Sequence, residues 1–283
     1  MEIKQNPFSL YDFLGYLIPG ITLNYGVIFT YSDNNLETFY KLITKYENIS
    51  LTVPFIIISY IFGHFLSFIS SLTIEKYALW RYGYPSKFLL EENEKENSPK
   101  YFNEKIISVN TLLKILLPTI LLPILILDFI SRNILNRNYW NNRTLDSLSR
   151  EIIKAKGINI YKSITDGLDV NYDKINFAGV DWFTILHHYT FERTKTHNTK
   201  FQNYVALYGF LRCISFLFIV FFWMNVYSFW QNNYGLINLN KAKTALLILL
   251  PYISFLSFLK FYKRYSLETL MAMTVLNSDE DNS

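Results

Sequence analysis

The chain has 283 residues, of which 51% are hydrophobic, 18% aromatic and 18% charged, with a formal net charge of +4. This mild charge gives no case for a nucleic-acid binder, and the single cysteine, Cys213, excludes an internal disulfide. The apolar residues form long runs, while the charges gather in residues 73–110 and 132–204. Because a soluble domain interleaves the two at short period, the sequence predicts an all-α membrane protein.

Four apolar runs are long enough to cross a bilayer, which needs about 20 mostly apolar residues per helix. They are 11–31, 51–72, 204–230 and 243–265. In the first run we expect a kink at Pro19 and Gly20, because proline removes a helical N–H and crowds the preceding turn.

A fifth apolar run, "LKILLPTILLPILILDFISR" at 113–132, is shorter and contains Pro118 and Pro123. Non-helical backbone at membrane depth survives only when it is buried in protein or faces water. A proline-bent segment here should therefore pack between other helices or between neighbouring subunits. A kinked but complete span is the alternative.

Lysine and arginine counts indicate the orientation, because short cytoplasmic loops carry the excess of positive charge. Residues 73–110 contain six such residues and 132–204 contain eleven, whereas 32–50 contain two and 231–240 none. If 113–132 crosses the membrane, the two basic stretches fall on opposite sides. If it enters and returns, or lies in the interface, both stretches and both termini are cytoplasmic. We expect four spans plus a re-entrant or interfacial segment, with five spans or a soluble-type hydrophobic helix at 113–132 as the alternatives.

The expected organisation has five parts. They are a first transmembrane hairpin (1–72), a cytoplasmic loop with the proline-bent segment (73–131), a cytoplasmic module (132–203), a second transmembrane hairpin (204–265) and a flexible acidic tail (266–283). We expect the module to be small and of mixed secondary structure. It should contain one helix from a Thr144 cap to Gly157 and another from Asp181 to about Arg193.

Ionisable residues inside the apolar runs are candidate functional residues, because charges are costly there and tend to pair or line polar cavities. These residues are Asp12, His64, Asp128 and Arg212. We expect either an Arg212–Asp128 pair or an Asp12–His64 pair to neutralise the charge. The alternatives are a structural clamp, a pore or sensing role, or an Arg212 side chain that extends to the membrane edge.

Small residues recur at three- and four-residue spacing in the second run. They are Gly63, Ser67, Ser70 and Ser71. This pattern is typical of close helix–helix contact in lipid. It predicts either a tightly packed bundle or a homo-oligomer, and the spacing alone does not distinguish them.

A polar cluster near the end of the cytoplasmic module contains His187, His188, Arg193 and His197. Two adjacent histidines point about 100° apart on a helix, which argues against a shared metal ion. Arg193 and His197 are separated by three residues, one fewer than the Arg-x4–6-His motif of HEPN ribonucleases. A solvated turn is the favoured interpretation, and we expect neither a metal nor another cofactor.

The stretch "NPFSLYDFLGYLIPG" at 6–20 resembles the N-terminal signature of a poorly characterised family of bacterial polytopic membrane proteins associated with anti-phage defence loci. The stretches "YIFGHFLSFISS", "LYGFLRC" and "FLKFYKRYSLETL" are similar as well, so the resemblance covers the membrane half and little of 132–204. It emphasises the following residues: Tyr11, Asp12, Pro19, Gly20, Gly63, His64 and Arg212. It implies a bacterial inner-membrane effector or accessory subunit that works with a cytoplasmic sensor or nuclease.

Three functional hypotheses follow. The first is a non-enzymatic membrane effector that oligomerises and perturbs the membrane when a cytoplasmic protein or small-molecule signal activates it, with a membrane docking scaffold as its simpler form. The second is a ribonuclease that uses Arg193 and His197. The third is a transporter, which ranks last because no duplicated half is visible. The expected partners are the bilayer, further copies of the chain and a cytoplasmic partner, without direct nucleic-acid binding.

Overall fold

The computed structural model describes residues 9–32, 35–44, 49–90, 116–133, 144–164, 182–193, 198–231 and 241–275. These residues are almost entirely helical, and no strand occurs within these ranges. Helix α1 comprises Leu10–Asp12, the π-helical turn Phe13–Leu17 and Ile18–Tyr31; α2 is Leu36–Thr44; and α3 comprises Ile49–Ser70, the π-helical turn Ser71–Glu75 and Lys76–Tyr82. The remaining helices are α4 (Pro85–Leu89), α5 (Leu122–Asn133), α6 (Ser147–Ile164), α7 (Trp182–Arg193), α8 (Asn198–Gln231) and α9 (Lys241–Val275).

Within the described part of the chain, four helical stretches are long and apolar enough to cross a membrane. They are Leu10–Thr30, Thr52–Leu89, Thr199–Gln231 and Ala242–Val275. The four predicted spans are therefore confirmed as membrane-spanning candidates. Helices α8 and α9 have 34 and 35 residues, a length of about 50 Å at 1.5 Å per residue. Each is about 20 Å longer than the hydrocarbon core and continues outside it.

Helices α1 and α3 approach each other through glycines. A Cβ atom added at Gly20 would overlap the Ser59 carbonyl, and one added at Gly63 would overlap the carbonyl of Tyr16. Asn24 Nδ2 also donates to Ser59 Oγ at 2.8 Å. The two backbones are close enough to exclude any side chain at these glycines, so the hairpin depends on them.

The long helices α1, α3, α8 and α9 form a bundle. The helix ends that adjoin the basic stretches 73–110 and 132–204 lie together at one end of it. Near this end, Tyr11 of α1 lies against Gly209 of α8. Ser70 of α3 contacts Cys213 there, with 3.6 Å between Oγ and Sγ. Helix α9 runs antiparallel to α8, because Lys200 pairs with Glu268 at 3.2 Å. The first described turn of the chain and the end of α9 therefore lie at the same end.

Beyond this end lies a compact group of helices, here called the head. It consists of α4, α6, α7, residues 198–206 of α8 and residues 260–275 of α9; the rest of α8 and α9 with α1, α3 and α5 is called the bundle. The head has its own apolar core, to which several helices contribute. Its buried members are Leu89, Leu90, Ile153, Ile160, Leu186, Leu270 and Met273, with Phe201, Tyr265 and Ala272 in an adjoining cluster.

The head differs from the prediction in three respects. Its described residues within 132–203 form helices, so the expected mixed structure is not supported. Helix α6 begins at Ser147, with Asp146 rather than Thr144 accepting from a first-turn backbone N–H (Ser149, 3.0 Å), and it continues through the buried Gly157 to Ile164. Packing against the head core outweighs the tendency of glycine to end a helix.

The first ten residues of the segment predicted as a flexible tail, 266–275, are helical. Helix α9 continues to Val275, and its last turns bury Ser266, Thr269 and Met273. Residues 266–275 therefore belong to the head core. Only 276–283 of the predicted tail lie outside the described residues.

The proline-containing segment packs against the bundle at an intermediate depth. Trp223 Nε1 donates to the carbonyl of Ile120 at 3.0 Å, about 16 Å along α8 from Arg212. The buried Leu121 separates residues 116–120 from α5, and Pro123 is the second residue of α5. A proline in the first turn removes an N–H that has no helical partner in any case. From there α5 runs back towards the head, where Asp128 meets the end of α3.

Candidate functional site

Arg212 on α8 is buried inside the bundle and hydrogen-bonded on several sides, an arrangement here called the Arg212 centre. Its side chain is 9% exposed and pairs through Nη1 with a carboxylate oxygen of Glu75. Its Nε donates to Ser70 Oγ at 3.2 Å, and its Nη2 donates to Ser67 Oγ at 3.2 Å. The guanidinium is thus held by α3 inside the bundle.

Both π-helical turns of the described chain lie beside this centre. Glu75 is the last residue of the π-helical turn in α3, and Ser70 immediately precedes that turn. The π-helical turn of α1 contributes the Gly15 carbonyl, which accepts from Cys213 Sγ at 3.7 Å, and Cys213 follows Arg212 on α8. Because π-helical turns widen a helix locally and are frequent at functional positions, this convergence marks the centre as the leading candidate site.

The electrostatics of the centre indicate a clamp between helices. Removing two charges from water is costly, and their attraction offsets this only when the remaining hydrogen-bonding groups are satisfied. Arg212 meets that condition with Glu75 and the two serines, while the Glu75 side chain keeps 26% of its surface exposed. The arrangement holds α3 and α8 in one register. Loss of the Glu75 carboxylate would remove the ion pair that joins the two helices.

A second buried charge, Asp128 of α5, forms a separate centre with α3. Its carboxylate accepts from Tyr77 Oη at 2.7 Å and from the hydroxyl of Tyr82, and Arg81 Nε lies 3.5 Å away. The expected Arg212–Asp128 pair is therefore wrong, because each charge is neutralised by groups on α3. The Asp128 centre attaches α5 to the bundle.

Asp12 and His64 also have other partners than each other. Asp12 forms a capping box with Ser9: Ser9 N donates to Asp12 Oδ2 at 3.0 Å, and Asp12 N donates to Ser9 Oγ at 3.1 Å. The imidazole of His64 stacks on Tyr16 with 3.8 Å between ring centroids and meets the edge of Tyr60 at 4.6 Å. His64 is exposed on the outer surface of the bundle, and its ring contacts are aromatic. The expected Asp12–His64 pair is therefore not formed.

The small-residue face of α3 is used within the chain. Gly63 packs against the backbone of α1, while Ser67 and Ser70 hold Arg212 of α8. Ser71 donates to the carbonyl of Phe68 at 2.7 Å in its own helix. For Gly63, Ser67 and Ser70, the structure decides in favour of a packed bundle.

The histidines of the head do not form a metal site within the described residues. His187 is half-buried against Phe183, Phe191 and Phe201, and its Nε2 shares a hydrogen bond with the hydroxyl of Tyr265. Burial, with a smaller contribution from the neighbouring His188, lowers the pKa of His187 below its ordinary value. His188 is exposed. His187 therefore belongs to the contact between α7 and α9.

Of the remaining predicted residues, Arg193, Pro19 and Gly20 lie in the described part of the chain. The Arg193 guanidinium lies over the ring of Tyr189, 4.3 Å from its centroid, at the exposed end of α7. His197 lies outside the described residues, so the Arg193–His197 pair stays a prediction. Pro19 and Gly20 lie in the buried hairpin contact, directly after the π-helical turn of α1. A kink was expected at Pro19 and Gly20, and the observed irregularity of α1 begins before them, in the π-helical turn Phe13–Leu17.

Four residues of the two centres were not predicted: Glu75, Tyr77, Arg81 and Tyr82. Glu75 lies five residues after Ser70, so ordinary helical spacing does not place it on the face of Ser67 and Ser70, and the π-helical turn brings it to Arg212. No sequence signal existed for the tyrosines either, because their hydroxyls are satisfied by a residue about 50 positions later in the chain.

Comparisons with known proteins do not add to this description. No protein-family model, no curated protein and no solved structure matches the chain. The fold and the two centres define the class of protein. It is a helical protein with four candidate membrane spans, a helical head, and charged pairs held between its helices.

Proposed function

We propose that this protein is a non-enzymatic effector or accessory protein of a bacterial inner membrane, in which the head receives a cytoplasmic signal and the bundle responds by changing membrane integrity. One observation carries the proposal: α8 and α9 run without interruption from the bundle into the head, with the Arg212 centre near the junction. A displacement of the head would act on this centre through rigid helices.

Aromatic contacts offer a route for such a displacement. Tyr265 of α9 shares a hydrogen bond with His187 of α7, and its ring lies 5.7 Å from that of Tyr208. Tyr208 is one helical turn before Arg212 on α8. A partner that moves α7 would therefore shift α9 and the turn of α8 that precedes the clamp.

The proposed topology places the head in the cytoplasm, together with both termini. Support comes from the basic stretches 73–110 and 132–204, which adjoin the same end of the bundle. Leu90 packs in the head, and Asp128 lies at the head end of α5. Because the chain leaves this end at Leu90 and is again there at Asp128, we propose that 113–132 is re-entrant.

Oligomerisation in this proposal uses the outer surface of the bundle. The small-residue face of α3 is occupied within the chain, whereas large apolar side chains cover its opposite side. Examples are Ile57, Ile61, Phe65 and Phe68, each at least 48% exposed. Lipid or further copies of the chain would cover them, and the proposed defence role rests on the sequence resemblance of residues 6–20.

The proposal is tested by measuring membrane potential in bacteria that express the protein, with and without phage infection. Tyr265→Phe removes the hydroxyl that contacts His187 and keeps the ring. We expect infected wild-type cells to lose potential and the variant to lose less. Tyr204→Phe is the matched control, because its ring contacts Phe261 at 6.4 Å and it lies outside the His187 contact. An unchanged potential in infected wild-type cells contradicts the effector function and leaves a docking scaffold.

A further inference from the structure

A groove of about 650 Å³ lies on the outer surface of the bundle between α3 and the proline-containing segment. Trp80 and Arg81 line the end nearest the head, and Pro118 lines the opposite end. Between them the walls are apolar, formed by side chains such as Leu122, Ile126 and Phe129. The groove opens outwards, since Trp80 is 47% and Phe129 60% exposed.

The dimensions of the groove fit one lipid chain. From Pro118 to Ile130 the segment rises by about 18 Å at helical spacing. This is close to half of the roughly 30 Å hydrocarbon core, which is the depth of a single leaflet. Its volume also lies within the roughly 300–1,000 Å³ range of small-molecule sites. An acyl chain aligned with α5 would cover apolar surface along one leaflet.

The head end of the groove carries a cationic group suited to phosphate. The carboxylate of Asp128 is already satisfied by the hydroxyls of Tyr77 and Tyr82. Arg81 reaches it only through Nε at 3.5 Å, and its Nη1 and Nη2 make no hydrogen bond with the described residues. The Arg81 side chain is 32% exposed, so its planar fork is available to a bidentate oxyanion.

A second arginine increases the positive charge at this end. The Arg132 guanidinium lies 5.8 Å from the ring centroid of Tyr82, beside the Asp128 centre. Arg81, Arg132 and the buried Asp128 together carry a formal charge of +1 at this end. Trp80 lies at the same level, where amphipathic rings favour the membrane–water interface.

From this geometry we infer that the groove binds an anionic phospholipid, with one acyl chain along α5 and the phosphate on Arg81. The lipid would fill the space between α3 and the proline-containing segment. It would thereby strengthen the attachment of a segment that contacts α3 through Asp128. The inference is independent of the proposed effector function, because a scaffold would need the same attachment.

The test measures lipid bound to the full chain purified in detergent. The protein is incubated with phosphatidylglycerol, with phosphatidylcholine of the same chains, or with glycerol phosphate, and retained molecules are counted by native mass spectrometry. We expect retention of phosphatidylglycerol, weak retention of phosphatidylcholine and none of glycerol phosphate. Arg81→Gln should reduce phosphatidylglycerol retention by about tenfold, the effect of losing one charge-assisted contact.

Two further variants keep the inference falsifiable if Arg81→Gln impairs folding. Ile126→Trp fills the groove and keeps Arg81, and it should also reduce retention. Arg264→Gln is the matched control, because Arg264 is exposed on α9 away from the groove, and it should retain lipid as the wild type does. Equal retention of both phospholipids, or retention unaffected by Arg81→Gln and Ile126→Trp in folded protein, would overturn the inference, as would binding of glycerol phosphate alone.

Discussion

The bundle and the head are both helical and both bury apolar side chains, but the surfaces that they expose differ. In the bundle, α3 turns Ser59 and Gly63 inwards, while Ile61 and Phe65 are exposed. In the head, α6 buries Ile153 and Ile160 and exposes Lys154 and Glu151. In lipid, burying an isoleucine between helices gains little hydrophobic free energy, so close packing and polar contacts between helices hold the bundle together.

The comparison shows which interactions hold each part together. In the bundle, close backbone approach and paired charges act together with a core of apolar side chains such as Leu217 and Phe255. In the head, apolar and aromatic side chains from α4, α6, α7 and α9 fill a core, as in a water-soluble protein. The same kind of substitution should therefore have different effects in the two parts.

The largest expected effect is the loss of the Arg212 centre. Arg212→Met leaves Glu75 without its partner inside the bundle and should reduce the free energy of unfolding by about 3–5 kcal/mol. The measurement is thermal unfolding in detergent. The exposed Arg264→Gln in the head should change it by less than about 0.5 kcal/mol.

A double variant separates charge from packing at this centre. Arg212→Met combined with Glu75→Met removes both charges, so it should be more stable than Arg212→Met alone. If the double variant is no more stable than the single one, an unpaired Glu75 is not the cause of the loss.

A glycine comparison within the bundle should give the next largest effect. Gly63→Ala places a Cβ against the carbonyl of Tyr16 and should destabilise the α1–α3 hairpin by about 3 kcal/mol. Gly15→Ala is the control, because its Cβ would meet the Tyr11 ring at an ordinary 3.7 Å. Unfolding in detergent measures both, and equal stability of the two variants would refute close backbone approach as the cause.

One substitution made in both regions compares a buried with an exposed carboxylate. Asp128→Asn leaves only one side-chain oxygen to accept from the two tyrosine hydroxyls. The free energy of unfolding should therefore fall by about 2 kcal/mol. Asp146→Asn should change stability by less than about 0.5 kcal/mol, because asparagine is an equally good helix cap. A larger loss of stability in Asp146→Asn than in Asp128→Asn would show that the head, rather than the bundle, depends on its carboxylates.

The smallest expected effect is a pH dependence confined to the head. The pKa of His187 is lowered from its ordinary 6.5 by burial, so above that pH the residue is neutral both folded and unfolded. Below it the unfolded state binds the proton more readily, and stability falls as the pH decreases. Hydrogen exchange in α7 at pH 7.5 and 5.5, corrected for intrinsic rates, measures this.

Two histidine variants check that assignment. His187→Phe should flatten the pH dependence, because it keeps the contact with the surrounding phenylalanines and removes the titrating group. His188→Gln should leave the dependence in place, since His188 is exposed. A profile that follows His188 instead would show that the exposed residue, not the buried one, titrates with unfolding.

The amino-acid sequence by itself determined the four apolar helices, the two charges buried between them and the small-residue face of α3. These follow from segment length, hydropathy and spacing, which act within one helix and need no knowledge of its neighbours. The second helix of the module, predicted from Asp181 to about Arg193, also agrees with Trp182–Arg193.

Only the tertiary structure decided which groups meet. Arg212 pairs with Glu75 rather than Asp128 because the π-helical turn Ser71–Glu75 changes the rotation of α3 at that level. One residue turns a helix by about 100°, so ordinary periodicity cannot assign a partner beyond such a turn. Likewise Gly157 and residues 266–275 resemble helix ends in sequence but are held helical by the head core, a property that belongs to the packing rather than to the local sequence.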